Sequence, residues 1–137
     1  MEVFVSGQIN DLENVRTVQN KLVEAGHHIT HDWTHNETGD KMLAGKQAKL
    51  DNPEETSRRA TNDMQGVLDS EVYIICTDNE RAGKGMYAEL GGAIALHMMN
   101  GVPRIYLVGE MNNASIFYFH PSVILGRSID EIIDEIQ

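Results

Sequence analysis

The stretch "EVYIICTDNERAGKGMYAELGGAIALHMMNGVPRIYLV", residues 71–108, decides the fold. It begins with a short apolar run, continues with apolar residues at helical spacing, and ends with a second short apolar run. A strand, a helix and a strand in this order predict a βαβ unit with two parallel strands. The helix carries one carboxylate, Glu89, near its start, in an otherwise apolar sequence with several glycines. An apolar helix has no structural need for that charge, so Glu89 is the first candidate for a functional residue.

The same alternation of strands and helices continues on both sides of this unit. The other predicted strands are "EVFVSG" (2–7), "HHITHDW" (27–33) and, as a possible fifth, "SIFYF" (115–119). The other predicted helices cover residues 12–25, 52–68 and 129–136. This alternation is typical of a parallel sheet with helices on both faces. We therefore expect a single α/β domain over residues 1–137, Rossmann-like or flavodoxin-like, with a parallel sheet of about five strands.

The composition favours a globular protein and argues against several classes of partner. The 137 residues are 41% hydrophobic and 23% charged, which suffices for one domain with its own core. The net charge of -10 argues against a nucleic-acid polymer, because such binding depends on neutralising phosphates, while a small anion stays compatible. No apolar run approaches the roughly 20 residues that span a bilayer, and no signal-peptide pattern is present, so we expect no membrane partner. The one cysteine, Cys76, lies in an apolar run, which predicts a buried thiol and a cytoplasmic protein.

Sheets of this kind bind ligands beyond the carboxyl ends of their strands. The loops at that edge are residues 6–11, 33–51, 77–84 and 109–115. Glu89 follows the third of these loops within about one helical turn, so it lies at the predicted ligand edge. The field of the helix would keep an acid ionised there, which suits a nucleophile. The alternative is a glutamate that caps the helix or faces solvent.

Asp63 is the candidate for a second carboxylate, on the helix that leads into the third strand. Cleavage of a glycosidic bond uses two carboxylates, one that attacks the anomeric carbon and one that handles the proton of the leaving group. An exposed helical acid is the alternative for Asp63. Asp69 and Glu71 are further candidates, although their positions are typical of a helix-to-strand turn.

Other residues near this edge are candidates for binding. The "SGQIN" loop, residues 6–10, contains Gly7, which favours either an anion site made of backbone N–H groups or a tight strand-to-helix turn. Trp33 is placed to stack on a base, with half-buried packing as the alternative. The lysines and arginines between residues 36 and 59 favour either a lid or a solvated face.

Histidines crowd the second strand. They are His27, His28, His31 and His35. Neither cysteines nor acids stand at a zinc-like spacing around them, so we expect no metal site.

Three segments of the chain resemble one enzyme family. "EVFVSGQI" (2–9), "NDMQGVLDSEVYIIC" (62–76) and "GKGMYAELGGAIAL" (83–96) are similar to the nucleoside 2-deoxyribosyltransferase superfamily, which includes the 2'-deoxynucleoside 5'-phosphate N-hydrolases. The resemblance runs in order over most of the chain and is weakest over residues 34–55, with "YAELG" as its most specific part. It implies cleavage of the N-glycosidic bond of a nucleoside or its 5'-monophosphate, by hydrolysis or base transfer, without a cofactor.

The resemblance also implies roles for single residues. Glu89 corresponds to the glutamate that takes C1' of the deoxyribose, and Asp63 to the aspartate that assists at the base or sugar, with Glu71 after it. The candidate substrate-binding residues, from pattern and resemblance together, are Ser6, Gly7, Gln8, Ile9, Trp33, Gly83, Gly85, Asn113 and Ser115. The glycine loop of the first strand would lie against the 5' end of the nucleotide. A polar residue after the fourth strand would reach into the site of a neighbouring subunit, with Asn112, Asn113 and Ser115 as the candidates.

Two parts of the chain depart from the family pattern. The first loop shows Gln8, Asn10 and Asp11 where the hydrolases tend to show serine and arginine, so recognition of a 5'-phosphate would require Arg81 or Lys84. The histidine-rich second strand, which ends in "HDWT", also lies outside the expected pattern.

The helix that carries Glu89 also predicts an assembly. Its small residues are Ala88, Gly91, Gly92 and Ala95, and the exposed-looking Met98 and Met99 follow them. Small residues permit close approach of another helix, and an apolar surface of this kind is typical of a contact with a partner. We expect a homodimer or a dimer of dimers around a twofold axis. The alternative is that the closing helix of the same chain covers this surface.

Two other functions fit part of the pattern. A catalytically silent nucleotide-binding or sensor module needs the same pocket but not the nucleophile. A cytokinin-activating phosphoribohydrolase fits "GKGMYAE" (83–89), but that type needs a paired-glycine loop after the first strand, which this sequence lacks. Release of free base from deoxynucleosides or their monophosphates separates an enzyme from the binding module.

Overall fold

A computed structural model describes residues 1–35, 45–80 and 85–137. The strands are β1 (Glu2–Ser6), β2 (His28–Ile29), β3 (Val72–Cys76), β4 (Arg104–Val108) and β5 (Val123–Ile124). The α-helices are α1 (Leu12–Glu24), α2 (Lys46–Asp51), α3 (Pro53–Leu68), α4 (Gly85–Asn100) and α5 (Ile129–Ile136). Short 3-10 turns cover Ile9–Asp11 and Ile116–Phe119. Among these helices, none combines the length and the apolar composition that crossing a membrane requires.

The five strands of the described chain pair in parallel, in the order β2-β1-β3-β4-β5. This is the flavodoxin-like, doubly wound order, so the predicted fold class is confirmed. From β1 the chain moves outward to β2, and from β3 it moves the other way to β4 and β5. The direction therefore reverses between β1 and β3, and a ligand crevice is expected beyond their carboxyl ends.

Helices cover both faces of the sheet, as predicted. On one face α1 and α5 bury Leu22 and Ile132, and on the other α3 and α4 bury Val67 and Leu90. Side chains alternate along a strand, so β1 and β3 contribute to both layers, and β3 is buried at every position. Cys76, at the end of β3, is a buried free thiol, as expected from its apolar run.

The fifth strand lies at Val123–Ile124, and the prediction of a strand over residues 115–119 is wrong. Residues 116–119 instead form a 3-10 turn in which only Tyr118 is buried. The Tyr118 hydroxyl donates a hydrogen bond to the carboxylate of Glu80, far away in the sequence. Strand propensity of an aromatic run is weak evidence, because such a long-range contact outweighs it.

The second strand is much shorter than predicted. After the two residues of β2, the backbone N–H of Thr30 makes one more sheet-like bond, to the carbonyl oxygen of Val3 at 2.9 Å. Asp32 then turns the chain, because its carboxylate accepts bonds from the N–H and the hydroxyl of Thr34. Residues 31–35 therefore leave the sheet at its ligand edge.

One side of α4 stays uncovered within the described chain. Met98 and Met99 are 70% and 78% exposed, and the small residues on the same side are exposed as well. Gly92 does not belong to that side, because a Cβ there would lie 3.0 Å from the sulfur of Met64 on α3. The closing helix α5 packs on the opposite face of the sheet, so the alternative that it covers this surface is wrong.

Candidate functional site

A cavity of about 370 Å³ opens at the carboxyl edge of the sheet. Its walls come from the 3-10 turn after β1, the segment after β2, helices α2 and α3, and the first turns of α4. The volume lies within the range of small-molecule sites, roughly 300–1,000 Å³. The predicted site residues that line it are Ile9, Trp33, Asp63, Gly85 and Glu89. Residues far apart in the sequence therefore meet at the edge that the topology selects.

Glu89 lies one turn into α4 and is half-buried in the wall of the cavity. Ser6, the buried last residue of β1, donates its hydroxyl to Glu89 Oε1 at 2.8 Å. This bond links the carboxyl end of a central strand to α4 across 83 positions of sequence. Ser6, which we expected to bind substrate, is thus placed to orient the Glu89 carboxylate.

Burial raises the pKa of Glu89 to about 8; the Ser6 hydrogen bond opposes this increase and the Asp63 carboxylate adds to it. The expectation that the helix field keeps Glu89 ionised is therefore wrong. Glu89 lies at least one turn into α4, where that field falls off, and its burial disfavours the charged form. At neutral pH Glu89 holds a proton most of the time.

Asp63 faces the same cavity from α3. Its side chain is only 31% exposed, so it is not a freely solvated helical acid. Burial raises the pKa of Asp63, and the neighbouring His31 and Arg59 oppose that increase. Two carboxyl groups with different partners thus share one cavity. In such an arrangement one group loses its proton at a lower pH than the other.

Trp33 lines the cavity with a fixed ring. Its Nε1–H donates to the carbonyl oxygen of Val5 at 2.7 Å, and the indole packs against both core layers. The half-buried packing expected from the sequence is therefore present, while stacking on a base stays a prediction for a ring that also faces the cavity. A ring held in this way loses little freedom when a planar ligand stacks on it.

Two predicted residues of the first loop, Gly7 and Gln8, are not among the described residues that line the cavity. A Cβ at Gly7 would lie 2.6 Å from Val15 Cγ2, so this glycine allows α1 to pack against the end of β1. The geometry favours the tight-turn interpretation of Gly7. Asp11 accepts a bond of 2.6 Å from Asn79, which ties this loop to the loop after β3.

The other predicted pair, Asn113 and Ser115, lies on the loop after β4, outside this cavity. The backbone N–H of Asn113 donates to the buried Glu80 at 2.9 Å, and Ser115 caps the following 3-10 turn. Their expected contribution to the site of a second subunit stays a prediction.

A basic rim surrounds the cavity, and the sequence interpretation left its role open. It consists of Lys49 on α2, Arg58 and Arg59 on α3, and His31 and His35 after β2. Glu55 accepts bonds from both arginines, at 2.6 and 2.9 Å, and these bonds lower the pKa of Glu55 to about 2. The spacing of these three residues is visible in the sequence, but their position at a cavity is not. The predicted cations Arg81 and Lys84, like Gly83, lie outside the described residues.

In the described parts of the chain, no group of three or more histidines, cysteines or acids is arranged to hold a metal ion. No protein-family model, no curated protein and no solved structure matches the chain. The resemblance to the deoxyribosyltransferase superfamily therefore stays a prediction, and the site itself carries the functional argument.

Proposed function

We propose that this protein cleaves the N-glycosidic bond of a 2'-deoxynucleoside or its 5'-monophosphate through a covalent glycosyl ester on Glu89. The observation that carries the proposal is the pair of carboxylates, Glu89 and Asp63, in one cavity of small-ligand size. A nucleophile and an acid on opposite elements of one cleft are what this chemistry requires. Trp33 supplies a flat apolar surface for the base, and the basic rim suits a substrate that carries a phosphate.

The first half of the reaction forms the glycosyl ester. Ionised Glu89, oriented by Ser6, attacks C1' as positive charge develops on the sugar. The electron pair of the C1'–N bond moves to the base nitrogen, which takes a proton from Asp63. In the second half water attacks C1', gives its proton to Asp63 and restores the Glu89 carboxylate. A second base in place of water gives transfer instead of hydrolysis.

The pH dependence should differ between two kinds of leaving group. Cleavage of a deoxynucleoside requires that Asp63 hold a proton while Glu89 is ionised, so the two carboxyl groups together must hold one proton. The pair loses this last proton near pH 8. For this substrate kcat/KM should fall above about pH 8. The 4-nitrophenyl 2-deoxyriboside needs ionised Glu89 but no acid, because its leaving group departs as an anion, so kcat/KM should rise through about 8. Initial rates of both substrates, measured from about pH 5 to about pH 10, test this difference. The same pH profile for both substrates would exclude the roles assigned to Glu89 and Asp63.

Assembly is part of the proposal, because the exposed side of α4 suits a twofold contact and the loop after β4 is left without a role in its own site. We expect light scattering to give a homodimer or a dimer of dimers. Mixing inactive Glu89→Gln with an inactive Asn113→Ala variant should restore about a quarter of the wild-type activity, since half of the dimers would hold one intact site. A fully active monomer would exclude a shared site.

One observation favours a second candidate function, a nucleotide-binding module without catalysis. With a pKa of about 8, Glu89 is a hydrogen-bond donor at neutral pH, and a donor serves binding without any attack on the sugar. In that case wild-type protein binds deoxynucleotides, releases no free base, and loses little affinity on Glu89→Gln. Chromatography for free base after incubation with deoxynucleosides and their monophosphates separates the two functions.

A further inference from the structure

His31 is in contact with the site, although the reaction described above gives it no role. Its Nε2 lies 3.3 Å from Asp63 Oδ1, and both side chains line the cavity that contains Glu89. The imidazole is 28% exposed and Asp63 is 31% exposed, so water screens this contact only in part. A half-buried pair of this kind restrains both side chains.

The backbone holds His31 in this place from two directions. The N–H of Thr30 donates to the carbonyl oxygen of Val3 in β1 at 2.9 Å. The Thr30 hydroxyl donates to the carbonyl oxygen of Gly66 in α3 at 2.7 Å. The residue before His31 is therefore bonded both to the sheet and to the helix that carries Asp63.

Gly66 on α3 allows His31 to approach the helix that carries Asp63. A Cβ at Gly66 would lie 2.8 Å from His31 Cβ and 2.7 Å from the ring of Phe4. Gly66 and Asp63 are three residues apart, on the same face of the helix. Any larger residue at position 66 would push His31 away from the helix, so this face of α3 is shaped to bring His31 to Asp63.

We propose that His31 is the positioning residue of the acid: its Nε2–H donates to Asp63 and holds that carboxyl toward the leaving base. The inference rests on the proposed function. When the C1'–N bond breaks and its electron pair moves to the base, Asp63 gives up its proton and becomes a carboxylate. His31 keeps its own proton and stabilises that carboxylate by the hydrogen bond. The attacking water later returns a proton to Asp63.

The other charged groups around His31 have partners of their own. Glu89 on α4 is bonded to Ser6, and Arg59 on α3 is bonded to Glu55. On its own segment Asp32 lies 3.3 Å from His35 and also accepts bonds from Thr34 and Gln19. Lys49 of α2 lines the same cavity, and its Nζ donates to the carbonyl oxygen of Gly45 at 3.3 Å. In the described part of the chain, Asp63 is the carboxylate within ion-pair distance of His31.

The test compares two substrates in matched variants. His31→Leu removes the donor, and His31→Gln keeps an N–H donor. For a deoxynucleoside, His31→Leu should lower kcat roughly 10- to 100-fold, with part of the loss restored in His31→Gln. For the 4-nitrophenyl deoxyriboside, which needs no acid, kcat should change less than about twofold. The control is His28→Leu, because the His28 side chain is 72% exposed, pairs with Glu2 and should leave both rates unchanged.

A carboxyl ¹³C titration of Asp63 by NMR gives a reading that needs no turnover. Removing His31 should move the pKa of Asp63 upward, because burial persists while the opposing partner is gone. An equal loss of rate on both substrates, or an unmoved Asp63 titration, overturns the inference. If the wild-type protein cleaves neither substrate, the proposed function fails and the role in proton transfer fails with it. The titration then still decides whether His31 controls the Asp63 carboxyl.

Discussion

Replacing Glu89 with glutamine should abolish base release and stabilise the fold at alkaline pH. Glutamine keeps the shape of the side chain and still accepts the Ser6 hydrogen bond, but it cannot form the glycosyl ester. We expect at least about a thousandfold loss of kcat. Free base measured by chromatography checks this, and a variant that retained more than a few per cent of the wild-type rate would exclude Glu89 as the nucleophile.

The change in stability follows from the sign of the pKa shift. The pKa of Glu89 is raised from an ordinary 4.5 to about 8 in the folded protein. Below about 4.5 both states hold the proton, and between the two values only the folded state does, so the free energy of unfolding falls as pH rises through this window. Glutamine removes this loss, and its advantage should reach the order of a few kcal/mol above pH 8.

Urea unfolding at about pH 4 and about pH 9 measures this difference. The variant and the wild type should be similar at the lower pH and separate at the higher one. Glu24→Gln is the matched control, because Glu24 is exposed at the end of α1 and should give no pH-dependent advantage. If both variants changed the pH dependence of the free energy of unfolding equally, the buried Glu89 would not be the cause of the loss of stability at alkaline pH.

Replacing Glu80 with alanine should have the largest effect on stability, a loss of roughly 3–5 kcal/mol. Glu80 is 5% exposed, and its carboxylate accepts bonds from the hydroxyls of Tyr118 and Tyr87 and from the backbone N–H groups of Asn112 and Asn113. Each buried donor that loses its partner costs about 1–3 kcal/mol. Glu80 also joins the loop after β3 to the loop after β4, so its loss should disturb the predicted shared site.

Two variants control for this prediction in urea unfolding. Glu80→Gln keeps one carbonyl acceptor and should lose less stability than Glu80→Ala. Glu110→Ala removes an exposed acid on the loop after β4 and should change the stability by no more than about 0.5 kcal/mol. A loss below about 1 kcal/mol in Glu80→Ala would show that the four donors find other partners.

The structural role of Glu80, the buried acid after the third strand, could not be predicted from the sequence. Glu80 carries no pattern that marks it as buried, since an acid in a loop is usually solvated. Its partners Tyr118 and Asn113 belong to segments that the sequence interpretation assigned to a strand and to a substrate loop. Glu80 stabilises the fold only because these segments pack together and donate hydrogen bonds to its carboxylate.

The sequence by itself determined the architecture and the position of the candidate site. Strand and helix periodicities are local properties, and alternating them leaves a parallel sheet with helices on both faces as the favoured fold. The topology of that fold then selects the carboxyl edge, where Glu89, Asp63 and Trp33 do lie together. These inferences need only the spacing of apolar residues and the order of the elements.

The tertiary structure alone decided the ionisation of Glu89 and the contact of His31 with Asp63. The sequence predicts a helix field that favours ionised Glu89, but burial raises the pKa of Glu89, and burial depends on which elements close over the side chain. The strand expected over residues 27–33 ends early, because Asp32 bonds to Thr34 and turns the chain toward α3. Interactions between distant segments depend on distances of a few ångströms, and such distances exist only after the elements have packed.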